Sequence, residues 1–343
     1  MPIVGLDLGR SNFRAVELEK KKDQIIVNKF GSYEGHGLNL FSENPAELEN
    51  YSLVLSQFFN ETGFSTPYVV VGLNEDNVFM RVIKLPAMNE KELESSIRIE
   101  AEQYIPVPIN DVNLSYQKLD FDYKDRSKID VQIVAARKTV LDKYVRIVRN
   151  AKLVTRAIEP ETISLGRIYG DNAESPVGTM ILEMGYSSTL LIVVYGGHVR
   201  FSRAIPIGGD ALTRSIMQSL GLDYMQAEEY KKIYGMDPSQ VEAKIFNAVK
   251  ALIDNIIVEI NRASIFFTNH NPSANIRRVI LTGGTALMPG LLLYIASNLE
   301  YEVELANPIK NISLNQKIEK SRNSLVQQGP LYSIAFGLAL KEI

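Results

Sequence analysis

Apolar and polar positions change rhythm repeatedly along the chain, and each change marks an element. Ile3 to Leu8 is apolar except for one Asp, the pattern of a buried strand. Phe13 to Leu18 alternates as a second strand, and Gln24 to Phe30 reads as a third. The charges from Glu19 to Asp23 form the solvated hairpin tip between them. Glu34 to Asn44, rich in Gly and Asn, reads as a loop, followed by a helix over Pro45 to Thr62 and a buried strand at Tyr68 to Leu73. Near Leu85-Pro86 the rhythm shifts. Asn89 with Glu92 three residues on predicts a capping box, in which side chains satisfy the unpaired N–H groups of a helix start. Leu93, Ile97, Ala101 and Tyr104 then fall on one helical face, and Pro106 and Pro108 end it. Strands at Val112 to Tyr123 and Ile129 to Ala136 and a helix at Thr139 to Ala151 complete a compact α+β unit that reads as an insertion.

A second strand series begins at Gly178, with strands at Thr179 to Met184, Thr189 to Tyr195 and Val199 to Ile205. Helices are expected over Asp210 to Leu220, Tyr224 to Ile233 and Val241 to Asn269. The last carries a core stripe of Ile245, Val249, Leu252, Ile256, Ile260 and Ala263. A strand at Arg278 to Thr282 leads into a Gly-rich turn and a helix. Lys310 to Gly329 is polar and reads as a surface loop, and Leu331 to Lys341 as a closing helix. A strand, tight turn, strand unit thus opens each half, as in a duplicated core.

Composition narrows the chemistry. The 343 residues carry 45% hydrophobic and 22% charged side chains, enough apolar surface for real cores. A formal charge of -3 gives no basic excess, so nucleic acid is not an expected partner. With no Cys and 3 His, disulfides, thiol nucleophiles and Cys or His metal sites are not expected. The N-terminus lacks a signal-peptide pattern, and no apolar run approaches the ~20 residues of a membrane span. A cytoplasmic protein without direct membrane insertion is expected, at the inner face of the membrane only through a partner.

Three Gly-rich turns carry the candidate chemistry. In Asp7-Leu8-Gly9-Arg10-Ser11-Asn12 a tight hairpin can bring backbone N–H groups against a phosphate, while Asp7 can hold Mg2+ through its water shell. Arg14 can neutralise phosphate charge. Glu183, Gly185, Ser187, Ser188 and Thr189 repeat those parts in the second half. Gly283, Gly284, Thr285 and Met288 form a turn that can lie flat on a base or ribose, and Gly208-Gly209 is a fourth such turn. Each is ordinary alone; their order is the informative part.

That order resembles the actin, sugar kinase and 70-kDa heat-shock ATPase superfamily over nearly the whole chain. Asp7 to Arg14 and Glu183 to Thr189 resemble its two phosphate motifs. Glu159-Pro160-Glu161-Thr162-Ile163 resembles the first connecting motif, Gly283-Gly284 with Met288-Pro289-Gly290 the adenosine motif, and Ala335-Phe336-Gly337-Leu338-Ala339 the second connecting helix. Within it the chain resembles the PilM family of type IV pilus assembly ATPases, relatives of FtsA. Leu85-Pro86-Ala87-Met88, Glu100-Ala101-Glu102-Gln103-Tyr104-Ile105-Pro106-Val107-Pro108 and Val134-Ala135-Ala136-Arg137-Lys138 carry that resemblance, with Gly208, Gly209, Glu228 and Lys231.

The resemblance implies a duplicated, ribonuclease H-like α/β fold. Residues 1–84 and 158–177 would form the first lobe, 85–157 the inserted subdomain, and 178–343 the second lobe, with a subdomain around 210–274. It implies two lobes closing on ATP and Mg2+, with Asp7, Glu159 and Glu183 as metal-holding and catalytic carboxylates. Glu228 and Lys231 would join the glycine turns in holding nucleotide. Glu183 stands where the family usually has Asp, so slow or absent turnover is expected. The implied partner is the tail of a PilN-like inner-membrane protein, docked at the inserted subdomain, with self-association a further possibility. A filament-forming FtsA- or MreB-like protein and a small-molecule kinase are the alternatives. The end at Ala339 to Ile343, without a basic amphipathic helix, disfavours FtsA. The inserted unit is unlike a sugar-binding lobe.

Overall fold

The computed structural model describes residues 1–9, 12–35, 38–119, 127–170, 177–271 and 274–343. In chain order the first half holds β1 (Ile3–Leu8), β2 (Asn12–Lys21), β3 (Gln24–Glu34), α1 (Pro45–Thr62), β4 (Tyr68–Leu73), β5 (Val78–Pro86) and α2 (Glu90–Glu102). It continues with β6 (Val112–Leu119), β7 (Lys128–Arg137), α3 (Lys138–Asn150), β8 (Val154–Pro160) and α4 (Glu161–Tyr169). The second half holds β9 (Gly178–Met184), β10 (Thr189–Tyr195), β11 (His198–Ile205), α5 (Gly209–Leu220), α6 (Tyr224–Tyr234) and α7 (Lys244–His270). After these come β12 (Ile276–Thr282), α8 (Leu291–Ser297), β13 (Glu302–Leu305), β14 (Ser313–Leu314), α9 (Arg322–Gln327) and α10 (Gly329–Ala339).

Two sheets repeat one plan. The first runs β14-β3-β2-β1-β4-β8 and the second β11-β10-β9-β12-β13. In each, the first strand pairs antiparallel with the second and parallel with a later strand on its other side, as β1 does with β2 and β4, and β9 with β10 and β12. That central strand is covered on both faces, which is why β1 and β9 read as continuous apolar runs rather than alternating ones. The duplication expected from the paired hairpins is therefore present in the strand order.

The chain divides into two compact units. One comprises Met1–Ile168, Asn311–Arg322 and Ile334–Ile343; the other comprises Tyr169–Lys310 and Asn323–Ser333. Two hydrophobic clusters of the first unit bear on the site. In the larger, α1 and α3 cover the first sheet, with Tyr51, Leu55, Tyr144, Ile147 and Val148 packed against Leu6, Phe13 and Val69. The residues of α10 from Ile334 onward lie against the same sheet. A Cβ on Gly5 would sit 1.9 Å from the Ala335 carbonyl oxygen, so helix and strand backbones touch there.

The smaller core belongs to an antiparallel three-stranded sheet, β5-β7-β6, covered by α2. Leu93, Ile97 and Ala101 enter it as the spacing predicts, and the Asn89–Glu92 capping box is formed in both directions at 3.0 Å. Tyr104 sits just past the helix, with the Arg81 guanidinium 4.9 Å from its ring centroid.

Several elements differ from the sequence reading. Val78–Pro86 is a strand that the pattern does not mark, because only Ile83 and Leu85 in it are fully buried; it pairs with β7, not with the first sheet. The strand expected to reach Tyr123 is described as far as Leu119; residues 120–126 lie outside the described residues. Helix α3 closes the larger core, not the smaller one. The segment 310–329 is not a bare loop: β14 pairs with β3, and a 3-10 turn and α9 follow, anchored by buried Leu314 and Leu325. On α7 the stripe holds except that Ile253, not Leu252, is the fully buried residue.

Candidate functional site

In the first unit, β1 delivers Asp7 to the hairpin mouth, in register with Arg14 on β2. The turn closes tightly: the Gly9 amide donates to the Asn12 carbonyl at 2.9 Å, and the Tyr51 hydroxyl donates to the Gly9 carbonyl at 2.8 Å. Arg10 and Ser11, both expected to contact phosphate, lie outside the described residues. Burial pushes the Asp7 carboxyl up from 3.8 to about 6, against the pull of the Arg14 guanidinium. Arg14 pairs with exposed Glu34 at 3.4 Å, while its buried Nε has no hydrogen-bond partner among the described residues. A hairpin end with a buried carboxyl and an under-used guanidinium can serve a solvated cation and an anion respectively.

Glu159, whose motif implies a metal-holding role, is held here by two cations. Both of its oxygens are bound by the Arg167 guanidinium, and Lys341 lies 3.0 Å from one of them. Arg167 also donates to the Gly337 carbonyl at 2.7 Å. A carboxylate held by two cations fastens α4 and the α10 segment to β8. Among the described residues no three His, Asp or Glu side chains gather as a metal-holding group. Mg2+ commonly keeps several waters and one or two carboxylates, so Asp7 fits that demand and Glu159 as placed does not.

The second unit gathers most of the other candidates. The Gly185 amide closes the β9–β10 turn on the Ser188 carbonyl at 3.0 Å. The chain after β11 then folds onto this turn. Gly209 N–H donates to the Gly185 carbonyl and Asp210 N–H to the Tyr186 carbonyl, both at 2.9 Å. Only glycine permits that approach, since a Cβ on Gly208 would lie 2.5 Å from both the Ser188 nitrogen and the Tyr186 oxygen. From a third segment, the Thr285 hydroxyl donates to the Gly185 carbonyl at 3.1 Å. Gly283 has φ +85 and passes so close to Glu183 and Met184 that a side chain would collide with both. Three distant turns thus share one backbone layer around Gly185. Ser187 and Gly284 are exposed at its edge; Met288 is buried, and the Thr189 hydroxyl is used internally, donating to the Ile207 carbonyl at 2.7 Å.

Beneath the layer sits Lys231. Its ammonium donates to the Gly209 carbonyl at 2.9 Å, the Thr213 hydroxyl at 2.8 Å and the Glu228 carboxylate at 2.7 Å. Burial lowers the Lys231 ammonium below its ordinary value, while Glu228 pulls it back up. Burial alone would raise Glu228, but hydrogen bonds from Lys231 and Thr213 outweigh it and hold the carboxyl low. The pair on α6 therefore braces the first turn of α5 from below. Thr213 is the member the residue-by-residue reading misses: nothing in a lone helical Thr signals that its hydroxyl links the Lys–Glu pair to Gly209. A further cluster, in which the Tyr186 and Tyr224 hydroxyls and Arg214 all donate to Asp210, ties the hairpin tip to α5 and α6.

A family model described as type IV pilus assembly protein PilM matches residues 5–343. The chain belongs to the PilM family. Among solved structures, a PilM-PilN type IV pilus biogenesis complex is similar, with TM-score 0.82, 25% identity, and coverage of 99% of this chain and 98% of that one. The cell division protein FtsA of Bacillus subtilis (strain 168) is 23% identical over 349 residues, spanning 89% of this chain and 78% of FtsA. MreB 5 of Spiroplasma citri, solved bound to AMPPNP, shares the fold at TM-score 0.51 and 13% identity, covering 99% of this chain and 96% of MreB. The PilM match and these neighbours make the repeated sheets a duplicated actin-like fold. Among the described residues no helix is long and apolar enough to cross a membrane.

Proposed function

We propose that this PilM-family protein is an ATP-binding assembly factor that recruits the cytoplasmic tail of a PilN-like inner-membrane protein to a type IV pilus machine. Its place would be the cytoplasm, at the inner face of the membrane through that partner. The observation that carries the nucleotide part is the backbone layer around Gly185, where three glycine turns meet with the Glu183 carboxylate and the Thr285 hydroxyl set among them. The Gly209 and Asp210 N–H groups already donate to the Gly185 and Tyr186 carbonyls, so what the start of α5 offers an anion is its helix dipole. Gly185 and Ser188, with Gly208 and Gly209, would line the phosphates; Gly283 to Thr285 would pass along the nucleoside. In the other unit, Arg14 and the Asp7 carboxylate would meet phosphate and the water shell of Mg2+. Glu183 remains the proposed water-directing carboxylate, one methylene longer than the family's usual Asp.

The recruitment part rests on the three-stranded sheet and α2. They form a core of their own beside the larger sheet of the same unit and contribute no phosphate turn. A short tail gains affinity from a few apolar anchors in a preformed groove. Binding at micromolar strength, about −8 kcal/mol, is expected. Two measurements test the two parts separately. Titration with a fluorescent ATP analogue and Mg2+ should saturate, and Asp7→Ala should weaken it; no binding up to millimolar nucleotide would remove the nucleotide reading. A photoreactive PilN-like tail should label residues within 78–151, and labels confined beyond Gly178 would remove the docking reading.

A further inference from the structure

The long helix α7 has two lives. Ile253, Ile256, Ile260 and Phe267 face the core of the second unit. Its outer side is not simply polar: Asn255, Val258, Arg262, Ile265 and Phe266 follow helical spacing along one exposed stripe. Val258 is 45% exposed, Ile265 62% and Phe266 47%. Phe266 meets the Phe201 ring of β11 with centroids 5.2 Å apart, so the stripe continues onto the outer strand of the second sheet.

Where the end of β11 passes this stripe there is a cavity of about 260 Å³, lined by Arg203, Ile205, Pro206, Val258, Glu259 and Arg262 among others. Its chemistry is asymmetric. Arg203 and Arg262 both lie 2.7 Å from the Glu259 carboxylate, so two cations share one anion. The guanidinium side chains are exposed, whereas Glu259 is sunk between them. Arg262 donates a hydrogen bond to Glu259 while Arg203 makes an ion pair without one among the described residues, and one anion facing two cations leaves a surplus positive charge at the cavity mouth. Guanidinium forks in that state bind an incoming carboxylate well. The cavity is smaller than the ~300–1,000 Å³ of pockets for drug-sized ligands, so it fits one anchor side chain rather than a cofactor.

We propose that this face docks an acidic segment of another protein, with one apolar side chain seated between Pro206 and Val258 and a neighbouring carboxylate on Arg203 and Arg262. Apolar anchors next to that carboxylate would lie along Ile265 and Phe266. The charge complementarity selects the occupant: a basic segment would meet two guanidinium groups, and a purely apolar one would leave their surplus unanswered. This site shares no residue with the layer around Gly185 or with the three-stranded sheet.

The probe is a short fluorescein-labelled peptide in which glutamate and leucine alternate, titrated with the full chain and read by anisotropy. Saturable binding is expected, weakening as salt screens the exposed arginines. The double variant Arg203→Ala, Arg262→Ala should lose at least tenfold in affinity, and the same peptide with glutamine for glutamate should bind as weakly. Glu259→Gln should strengthen binding several-fold, because it removes the resident competitor for both guanidinium groups. Amide exchange on the wild-type chain should slow at residues 203–207 and 255–262 when peptide is added, and this readout does not depend on any variant folding. Free glutamate at the same concentration should not displace the peptide. Absence of saturable binding, equal binding of the glutamine peptide, an unaffected double variant, or protection confined to other segments would each overturn the proposal.

Discussion

Replacing Lys231 with Met tests whether the buried ammonium braces the backbone layer around Gly185. Methionine keeps the length and the apolar stem but deletes the charge. Three hydrogen bonds disappear, two to uncharged oxygens of Gly209 and Thr213 and one to the Glu228 carboxylate. All three are charge-assisted, because the donor is an ammonium; at about 1.5–3 kcal/mol each the gross loss is roughly 4.5–9 kcal/mol. Burying a methionine tip returns part of this, so a net destabilisation of about 3–5 kcal/mol is expected. For a unit of this size that corresponds to a melting shift of roughly 6–20 °C. The decisive assay is a double-mutant cycle with Glu228→Gln, followed by thermal or urea unfolding. Because Glu228 is left without its main partner in Lys231→Met, the second substitution should recover some of the loss, giving a coupling of about 1–2 kcal/mol. A Lys231→Met protein as stable as wild type, or strictly additive losses, would refute the bracing argument.

The Asp7 carboxyl titrates near 6 when folded and near 3.8 in an ordinary setting, so the native state holds its proton to higher pH than the unfolded chain. Stability from this group is therefore lost as pH rises from about 4 to about 6 and is flat above; Asp7→Asn should be more stable than wild type at pH 7.5 by up to about 3 kcal/mol, with the gap closing at pH 4 in parallel melts. Gly337→Ala should destabilise the first unit by about 1–3 kcal/mol or more, measured by urea midpoint, because the added Cβ would sit 2.1 Å from the Ser164 carbonyl oxygen. Lys341→Ala should cost much less than Arg167→Ala, since Arg167 alone makes the bidentate contact to Glu159 and also holds the Gly337 carbonyl; equal losses would mean that Lys341 is the principal partner. Phosphate release by wild type should be barely above background, and Glu183→Asp should raise it; rapid wild-type turnover would show the longer carboxylate to be competent.

Much of the fold is legible wherever burial is one-sided or complete. The continuous apolar runs of β1 and β9 and the stripe on α7 are direct signatures of what those residues touch. The capping box at Asn89 is legible because it is a purely local exchange of hydrogen bonds. β5 is not, since only Ile83 and Leu85 in it are fully buried and its pattern alternates poorly, and its partner β7 lies far along the chain. The glycine turns can be read as candidates, but not as neighbours: Gly185, Gly209 and Thr285 meet only through tertiary folding. Glu159 shows the converse. Its motif suggests a metal-holding carboxylate, yet Arg167 and Lys341 occupy both oxygens, and Lys341 comes from the far end of the sequence.

The first unit is interrupted by almost the whole of the second. Its outer strand β14 and the last stretch of α10 are synthesised only after β9 to β13, although they complete a sheet begun at Ile3. Chains emerge from synthesis N-terminus first and domains tend to fold as they emerge. Here the earliest-made sheet must wait with an open edge and with Gly5 uncovered until the final segment arrives. The sheet that starts first is thus the one finished last, and its assembly cannot be separated from that of its neighbour by cutting the chain once.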